Sequence, residues 1–354
     1  MRMFSVLVGV SLLILPFAAA GEPVRYEFLR EKMAVPVRLV FYAGSPDGAA
    51  SAAEAVYDRF DELNRMMSDY DPESEIVRAC RESGEKGEAV EISRSLYEVL
   101  RMAREMNLQT GGAFDISVSP IVKLWRRSRV FGRRPPEDFL RRAKGLVGNR
   151  HWELGESAGD PPRFTLRVAE KDVRLDLGGI AKGYAIDEGI RILEERGLRS
   201  ALIDAGGDIR VTAPPPGKEG WTIGGVTLEK EEEAAYYLTV SDAAIATSGD
   251  MFQYFEIDSV RYSHIIDPRS GEPLTTRSVV SVLAPGAAAA AALASGLSVL
   301  GPDAGIRLAE SLPEVETLVI TAPSGEEEGA VPRIAATGRF LRIRDELAEK
   351  EPGR

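Results

Sequence analysis

The segment 175–210 has the residue spacing with the clearest chemical meaning in this 354-residue chain. Asp176 precedes the paired glycines Gly178 and Gly179, and Lys182 follows three residues later. Paired glycines let the backbone approach a ligand closely, and a helix that begins directly after them presents N–H groups to an anion. A lysine in the first turn of that helix can reach a phosphate or a carbonyl group. On spacing alone, an anion-binding site and a structural turn are two equal interpretations of this segment.

A second acidic glycine turn occupies residues 204–208, where Asp204 and Asp208 flank Gly206 and Gly207. It closes the same strand–helix–strand unit as the first turn. Neither turn contains the GxGxxG pattern of dinucleotide-binding folds or the P-loop pattern of nucleoside triphosphatases. The sequence therefore does not support nicotinamide binding or Walker-type nucleotide binding.

Few side chains of this protein could act as soft metal ligands or as bases. The single cysteine, Cys80, excludes a disulfide framework and a cysteine-based zinc site, and two histidines are too few for a histidine-rich site. Any metal must therefore be held mainly by oxygen. His264 ends a predicted strand beside Asp267, which makes it a general-base candidate with a structural role as the alternative. We interpret His151 as structural.

The elements that position these residues mix long helices with hairpin-length strands. Apolar periodicity predicts helices over 49–67, 93–108, 180–196 and 287–300, and Ser93 is expected to cap the second of them. Strands are predicted over 36–43, 163–168, 173–177, 201–204, 236–241, 261–266, 278–283 and 316–320. This irregular order indicates an α+β fold in a single compact chain rather than a regular βαβ series.

Charge is distributed unevenly along the chain. The 44 basic and 55 acidic residues give a formal net charge of −11, which disfavours nucleic acid as a partner. Residues 123–150 nevertheless carry ten basic and two acidic side chains and include Pro135 and Pro136, which predicts a basic, looped excursion. A solvated surface and the steering of phosphate are the two interpretations of this segment.

The first twenty residues have the layout of a secretory signal peptide. Arg2 precedes an apolar run that ends in Ala18, Ala19 and Ala20, before Gly21. The run is shorter than the ~20 residues that span a membrane, and an uncleaved anchor is the alternative. Since no cysteine lies near the cut, a lipoprotein anchor is excluded. We expect residues 1–20 to be removed and residues 21–354 to form one soluble domain in the periplasm or another extracytoplasmic space.

Five ordered blocks resemble the FAD:protein FMN transferase family, the ApbE-like flavin transferases. They are LNRMMSDYDPESEI (63–76), TGGAFDISVSP (110–120), DLGGIAKGYAID with IDAGGDIR (176–210), ATSG (246–249) and RYSHIIDPRSGEPL (261–274). The blocks stand in family order and cover roughly residues 30 to 320. The resemblance implies an ApbE-like α+β fold related to the T-fold, with mixed sheets and packed helices.

The resemblance also implies a reaction. Members of the family bind FAD and a divalent cation, normally Mg²⁺, transfer FMN to a Thr or Ser hydroxyl of a flavoprotein, and release AMP. For this chain the acceptor would be an exported flavoprotein subunit. A FAD pyrophosphatase that forms FMN and AMP, and a degenerate FAD-binding protein with an impaired metal site, are the alternatives. Acidic oxygens and few histidines suit phosphoryl chemistry with a hard metal, and FAD as a substrate requires no redox machinery.

Carried over position by position, the resemblance assigns the contacts of FAD and of the cation. Gly179 matches the position that offers its backbone carbonyl to the metal, and His264 is the candidate base. Ala34 and Val35 depart from the Gly and Thr that follow the family's N-terminal Met. The positions that match FAD contacts are Met33, Tyr70, Ala113, Phe114, Asp115, Asp176, Lys182 and Ile266.

The largest departure from the family pattern concerns the metal. The family places an Asp, and a Thr four residues later, where both side chains bind the cation. In this chain Ala291 stands at the Asp position and Ser295 at the Thr position, and residues 273–302 contain no acidic side chain. Because a hard cation depends on carboxylate charge, we expect weak Mg²⁺ binding and slow catalysis, with Asp204 and Asp208 as the remaining acids.

Overall fold

The computed structural model describes residues 23–228, 233–249, 253–323 and 331–349, so the predicted signal peptide lies outside the described residues. The strands of the described part are β1 (Val24–Lys32), β2 (Val35–Ala43), β3 (Val90–Ile92), β4 (Trp152–Ser157), β5 (Arg163–Val168), β6 (Ala201–Ala205), β7 (Asp208–Val211), β8 (Trp221–Gly225), β9 (Tyr236–Val240), β10 (Ala243–Gly249), β11 (Tyr254–Ile257), β12 (Val260–Ser263), β13 (Ser278–Ala284), β14 (Glu316–Thr321) and β15 (Arg333–Ala336). The α-helices are α1 (Pro46–Met67), α2 (Glu75–Lys86), α3 (Arg94–Gln109), α4 (Ser119–Phe131), α5 (Glu137–Lys144), α6 (Ala181–Glu195), α7 (Ala287–Ser311) and α8 (Leu341–Glu349).

An eight-stranded sheet is the centre of the fold. Its spatial order is β1, β2, β6, β7, β10, β13, β14 and β15, and every neighbouring pair is antiparallel. The described residues also form three smaller antiparallel sheets. One has three strands in the order β3, β5, β4, and the other two are the pairs β8–β9 and β11–β12. The predicted α+β class is confirmed.

Both faces of the large sheet are covered, as strand β13 illustrates. All seven of its residues are buried. Val280 and Val282 belong to one hydrophobic cluster, whereas Val279 and Leu283 belong to another on the opposite face. Successive side chains of a strand point to opposite faces, so a strand covered on both sides can carry apolar side chains on both faces. Five of the seven residues of β13 are apolar, and only Ser278 and Ser281 interrupt them.

Helices α6 and α7 pack closely against each other beside the sheet. A Cβ atom added at Gly183 would lie 2.3 Å from the carbonyl oxygen of Ala287, so this contact requires glycine. Asp187 of α6 accepts hydrogen bonds from the backbone N–H groups of Ala287 and Ala288, at 2.8 and 3.0 Å. These bonds satisfy two N–H groups that have no partner within their own helix. The two helices are thereby joined at the start of α7.

Helix α7 is longer than predicted. It continues past residue 300 to Ser311, after a break at Gly301, whose φ of 75° is followed by Pro302. It is long and apolar enough to span a membrane, but half of its most apolar stretch is buried within the protein. Its alanines, such as Ala288 and Ala292, pack in the main hydrophobic core. We therefore interpret α7 as a core helix.

Two local predictions are wrong. The basic segment 123–150 is not a looped excursion, because most of it belongs to helices α4 and α5. The apolar side chains Ile121, Trp125 and Leu140 of these helices form a third small core with the β11–β12 hairpin. Val173, Leu175 and Leu177 are buried, but residues 173–177 do not join a sheet. The N–H of Asp176 donates instead to the carbonyl of Ile116. That bond joins the two loops that enter the site.

Candidate active site

A cavity of about 810 Å³ opens between the main core and the small core of α4 and the β11–β12 hairpin. This volume is within the range of about 300–1,000 Å³ that is usual for small-molecule sites. Ten of the eleven positions assigned from the sequence line the cavity, although they come from five separate segments. They are Tyr70, Ala113, Phe114, Asp115, Asp176, Gly179, Lys182, His264, Ile266 and Ser295.

Met33 is the assigned position that does not line the cavity. It lies with Ala34 in the turn between β1 and β2, where both residues have positive φ values of 50° and 60°. Met33 is half-buried against the main core. Gly206 is also absent from the lining, because it belongs to the tight turn between β6 and β7 and lies against Val35. The structure therefore brings Gly178, but not Gly206, to the cavity.

The loop before α4 is held by buried polar side chains. The side-chain amide of Asn107 donates to the carbonyl of Phe114 at 2.8 Å, and the N–H of Phe114 donates to the hydroxyl of Thr110 at 3.0 Å. Asp115 accepts hydrogen bonds from both the N–H and the hydroxyl of Ser117, at 2.8 and 2.5 Å. Burial raises the pKa of Asp115. The loop thus presents the Phe114 ring and the Asp115 carboxyl at fixed positions in the cavity wall.

Asp176 and Arg126 form the acidic and basic parts of one side of the cavity. Asp176 accepts from the N–H of Gly178 at 2.8 Å, and its other oxygen lies 3.5 Å from the guanidinium of Arg126. Arg126 also donates to Asp69 at 2.7 Å, and its guanidinium lies 4.5 Å from the ring centre of Tyr70. Burial, and secondarily the charge of Asp69, raise the pKa of Asp176. Two carboxylates therefore share one arginine at the edge of the cavity.

Lys182 lies on the other side of the glycine turn and pairs with Asp208. The ammonium nitrogen of Lys182 is 3.0 Å from an oxygen of Asp208. Burial raises the pKa of Asp208, and the charge of Lys182 opposes this effect. Lys182 stands in the first turn of α6, as predicted, and both side chains line the cavity. The pair places a cation, held by a buried acid, beside the backbone of residues 178 and 179.

The structure brings the expected metal positions together. A Cβ atom added at Gly179 would lie 3.6 Å from the hydroxyl of Ser295 and 3.0 Å from the Phe114 ring, and Ala291 lines the cavity one helical turn before Ser295. Ala291 presents no oxygen, and the described residues contain no group of three His, Cys, Asp or Glu side chains that could hold a metal ion. A carbonyl and a hydroxyl without a carboxylate do not fit the coordination that Mg²⁺ prefers.

His264 stands in the cavity wall directly after β12. Its Nδ1 atom is 3.0 Å from the backbone carbonyl of Gln253. A carbonyl can only accept, so Nδ1 carries the proton of the neutral ring and Nε2 carries the lone pair. Asp267 is not the partner of this histidine, because its carboxylate accepts hydrogen bonds from the backbone and side chain of Arg269 at 2.9 to 3.0 Å. Burial raises the pKa of Asp267, but the bonds from Arg269 outweigh it and leave that pKa below its usual value.

Three charged residues at or beside the cavity edge, Asp69, Arg126 and Arg129, were not assigned from the sequence. Arg126 follows Leu124 and Trp125 in a helix, and its spacing there gives no sign of the contact with Asp69 and Asp176. Asp69 belongs to the block 63–76, of which only Tyr70 was assigned. Asp69, Arg126 and Asp176 come from three distant segments. No periodicity within one segment could therefore have predicted their contact.

The fold and the cavity can be compared with known proteins. The family model described as the ApbE family matches residues 33–319. The chain is 31% identical to a FAD:protein FMN transferase of Vibrio cholerae over 280 residues, which cover 76% of this chain and 79% of that protein. It is 32% identical over 296 residues to one of Treponema pallidum, covering 80% of this chain and 81% of that protein.

Solved structures give the same result. The flavin transferase ApbE from Vibrio cholerae superposes with a TM-score of 0.75 at 26% identity and covers 90% of this chain and 99% of that one. The ApbE protein from Thermotoga maritima gives a TM-score of 0.74, also at 26% identity. The fold is thus that of the flavin transferase class. The chain belongs to the ApbE family.

Proposed function

We propose that this protein is a FAD:protein FMN transferase. The observation that carries the proposal is that five separate segments bring ten of the eleven positions assigned from the sequence to one cavity. The relatives named above are FAD:protein FMN transferases, and their alignments cover three quarters or more of this chain. FAD is then the substrate, and a Thr or Ser hydroxyl of an exported flavoprotein subunit is the acceptor.

The reaction requires one phosphorus–oxygen bond to form and one to break. The acceptor oxygen attacks the phosphorus of the FMN half of FAD, and the bridging oxygen departs with AMP. His264 would take the hydroxyl proton at Nε2, because its Nδ1 is committed to the carbonyl of Gln253. Lys182 and the N–H groups at the start of α6 would bind the diphosphate. The Phe114 ring and the Tyr70 ring, which both line the cavity, would contact the flavin.

Magnesium is the family's usual cation, and we propose that this chain binds it weakly. The residues that would contribute are the carbonyl of Gly179 and the hydroxyl of Ser295, and neither carries charge. No step of the reaction above is assigned to the metal. The same observation supports a second candidate, a flavin-binding protein with little turnover.

Incubation of the purified protein with FAD and Mg²⁺, with and without an acceptor flavoprotein, tests these candidates. A transferase gives AMP together with covalently bound FMN only when the acceptor is present. A FAD pyrophosphatase gives AMP and free FMN without an acceptor. FAD binding with neither product would contradict both enzymatic functions and support the binding protein.

We also propose that the protein acts outside the cytoplasm. The proposal rests on the composition of residues 1–20, with Arg2, an apolar run and three alanines before Gly21. Mass spectrometry of protein isolated from cells should give an N-terminus at or near Gly21. An intact Met1 in the membrane fraction would contradict the proposed cleavage.

A further inference from the structure

The end of helix α4 carries apolar and basic side chains at the edge of the cavity. We call Arg129, Val130, Phe131 and Arg133 the α4 tip. Arg129 and Val130 line the cavity, and Gly132, with a φ of 63°, ends the helix between the other two residues. The tip therefore lies beside the cavity, where a large partner that reaches into the cavity can contact it.

The apolar side chains of the α4 tip are unusually exposed. Val130 is 79% exposed, the highest fraction among the exposed large apolar side chains of the described residues, and Phe131 is 66% exposed. Neighbouring apolar side chains that face water beside a cavity mark an interaction site more often than single scattered ones do. The same helix buries Ile121 and Trp125 in the small core, so the exposure is confined to its end.

The charges of the α4 tip are uncompensated. Arg129 and Arg133 are exposed, and within the described residues neither forms an ion pair. Their neighbours Arg126 and Arg134 are paired with acidic side chains. The lobe formed by residues 119–147 and 254–272 contains eleven basic and six acidic side chains, whereas the whole chain has a net charge of −11. A basic surface on an acidic protein is suited to a partner with an acidic surface.

We propose that the α4 tip docks the acceptor protein through an acidic surface that also carries an apolar side chain. The inference rests on the proposed transferase function, because only a transferase must admit a second protein to the cavity. The tip would hold the acceptor while its hydroxyl reaches the FAD inside. Opposite charges at the rim of an interface mainly increase the association rate and make it dependent on salt.

The test compares two double variants of the same lobe. Phe131→Ser/Arg133→Glu changes the α4 tip at positions that do not line the cavity. Phe139→Ser/Arg142→Glu is the matched control, since α5 also exposes one phenylalanine, 51% exposed, and two arginines, Arg141 and Arg142. The probe is an extracytoplasmic protein extract of the source cells incubated with FAD, in which covalent FMN fluorescence on a denaturing gel reports the acceptor.

We expect the tip variant to lower the initial rate of acceptor labelling at least fivefold in 50 mM NaCl, and the difference to shrink in 500 mM NaCl. Its FAD affinity, measured by flavin fluorescence without extract, should equal that of the unmodified protein, and the control variant should label normally. Equal rates of acceptor labelling by the two variants would overturn the proposal that the α4 tip is a docking surface. A parallel loss of FAD affinity would overturn it in favour of phosphate steering.

Two further outcomes are distinguishable. If the unmodified protein binds FAD but labels no protein, the transferase function fails, and the docking surface fails with it. Vesicles containing 30% phosphatidylglycerol serve as a second probe for the same variants. If the tip variant loses vesicle binding while its labelling of the acceptor is normal, the surface binds membrane and the docking proposal is wrong.

Discussion

The ammonium group of Lys182 lies 3.0 Å from the carboxylate of Asp208 inside the cavity. Lys182 lies in the first turn of α6 and Asp208 is the first residue of β7, so the pair joins these two elements beside the glycine turn at residues 178 and 179. Because Asp208 is buried, the lysine is held in place rather than free to sample solvent. A fixed cation next to helix N–H groups forms a site that is suited to a diphosphate.

The first prediction concerns this pair. Lys182→Ala should weaken FAD binding roughly 10- to 100-fold, because a hydrogen bond to a charged group contributes about 1.5–3 kcal/mol. Riboflavin, which has no phosphate, should lose much less affinity. Fluorescence titration of both ligands provides the measurement. Equal losses for FAD and riboflavin would show that Lys182 does not contact the diphosphate.

The second prediction concerns the metal position. Ala291→Asp should increase Mg²⁺ affinity at least tenfold and increase AMP release, because it adds a carboxylate one helical turn before Ser295. Ala291→Asn is the matched control, since it has nearly the same shape without the charge. AMP release is measured over a range of Mg²⁺ concentrations. If the unmodified protein already releases AMP at low Mg²⁺ and Ala291→Asp changes nothing, the proposed weakness of the metal site is contradicted.

The third prediction concerns the proposed base. His264→Ala should lower the rate of FMN transfer by about 10²–10⁴-fold, which is the usual contribution of a general base. FAD affinity should change little, because the imidazole is expected to act on the acceptor hydroxyl. Single-turnover transfer and fluorescence titration separate the two effects. A loss confined to FAD affinity would assign His264 to binding instead.

The fourth prediction concerns the buried acid Asp176. Burial and the nearby Asp69 raise its pKa, so the folded protein binds a proton more readily at this site than the unfolded chain does. The stability of the folded protein therefore falls as pH rises through the raised pKa, because the Asp176 carboxyl then becomes charged. Asp176→Asn should raise the melting temperature at pH 7, by a few degrees for about 1 kcal/mol. The advantage should shrink at lower pH, where the carboxyl of the unmodified protein becomes protonated.

Calorimetry at two pH values measures this difference. A melting temperature for Asp176→Asn that is lower at pH 7 would mean that the contact with Arg126 outweighs the cost of burial. The same variant should bind FAD less well, since the carboxyl is assigned to the ligand.

The fifth prediction concerns the contact between α6 and α7. Gly183→Ala should lower stability by about 1–3 kcal/mol or more, because the added Cβ would lie 2.3 Å from the Ala287 carbonyl oxygen. FAD binding should fall as well, since α6 carries Lys182. Gly44→Ala is the matched control, because no atom lies within 4 Å of a Cβ placed there. Equal melting temperatures for the two variants would contradict the close packing.

Much of the fold follows from local patterns. The caps of α1 and α3, Ser45 and Ser93, accept hydrogen bonds from backbone N–H groups three residues later, and the strand at residues 163–168 has its predicted bounds. The segment 173–177 shows the limit of such patterns. Its apolar alternation fits a strand, but the N–H of Asp176 bonds to a loop carbonyl rather than to a neighbouring strand.

The sequence by itself determined the glycine turn at residues 178–179, the absence of a carboxylate at Ala291 and the residue types of the site, because each is a property of one short segment. Only the tertiary structure decided that Arg126 is shared by Asp69 and Asp176, that Lys182 pairs with Asp208, and that Met33 lies outside the cavity. These relationships join residues separated by up to 57 positions. Ionic contacts depend on distances of a few ångströms, and the packing of helices against the sheet, rather than any local spacing, fixes those distances.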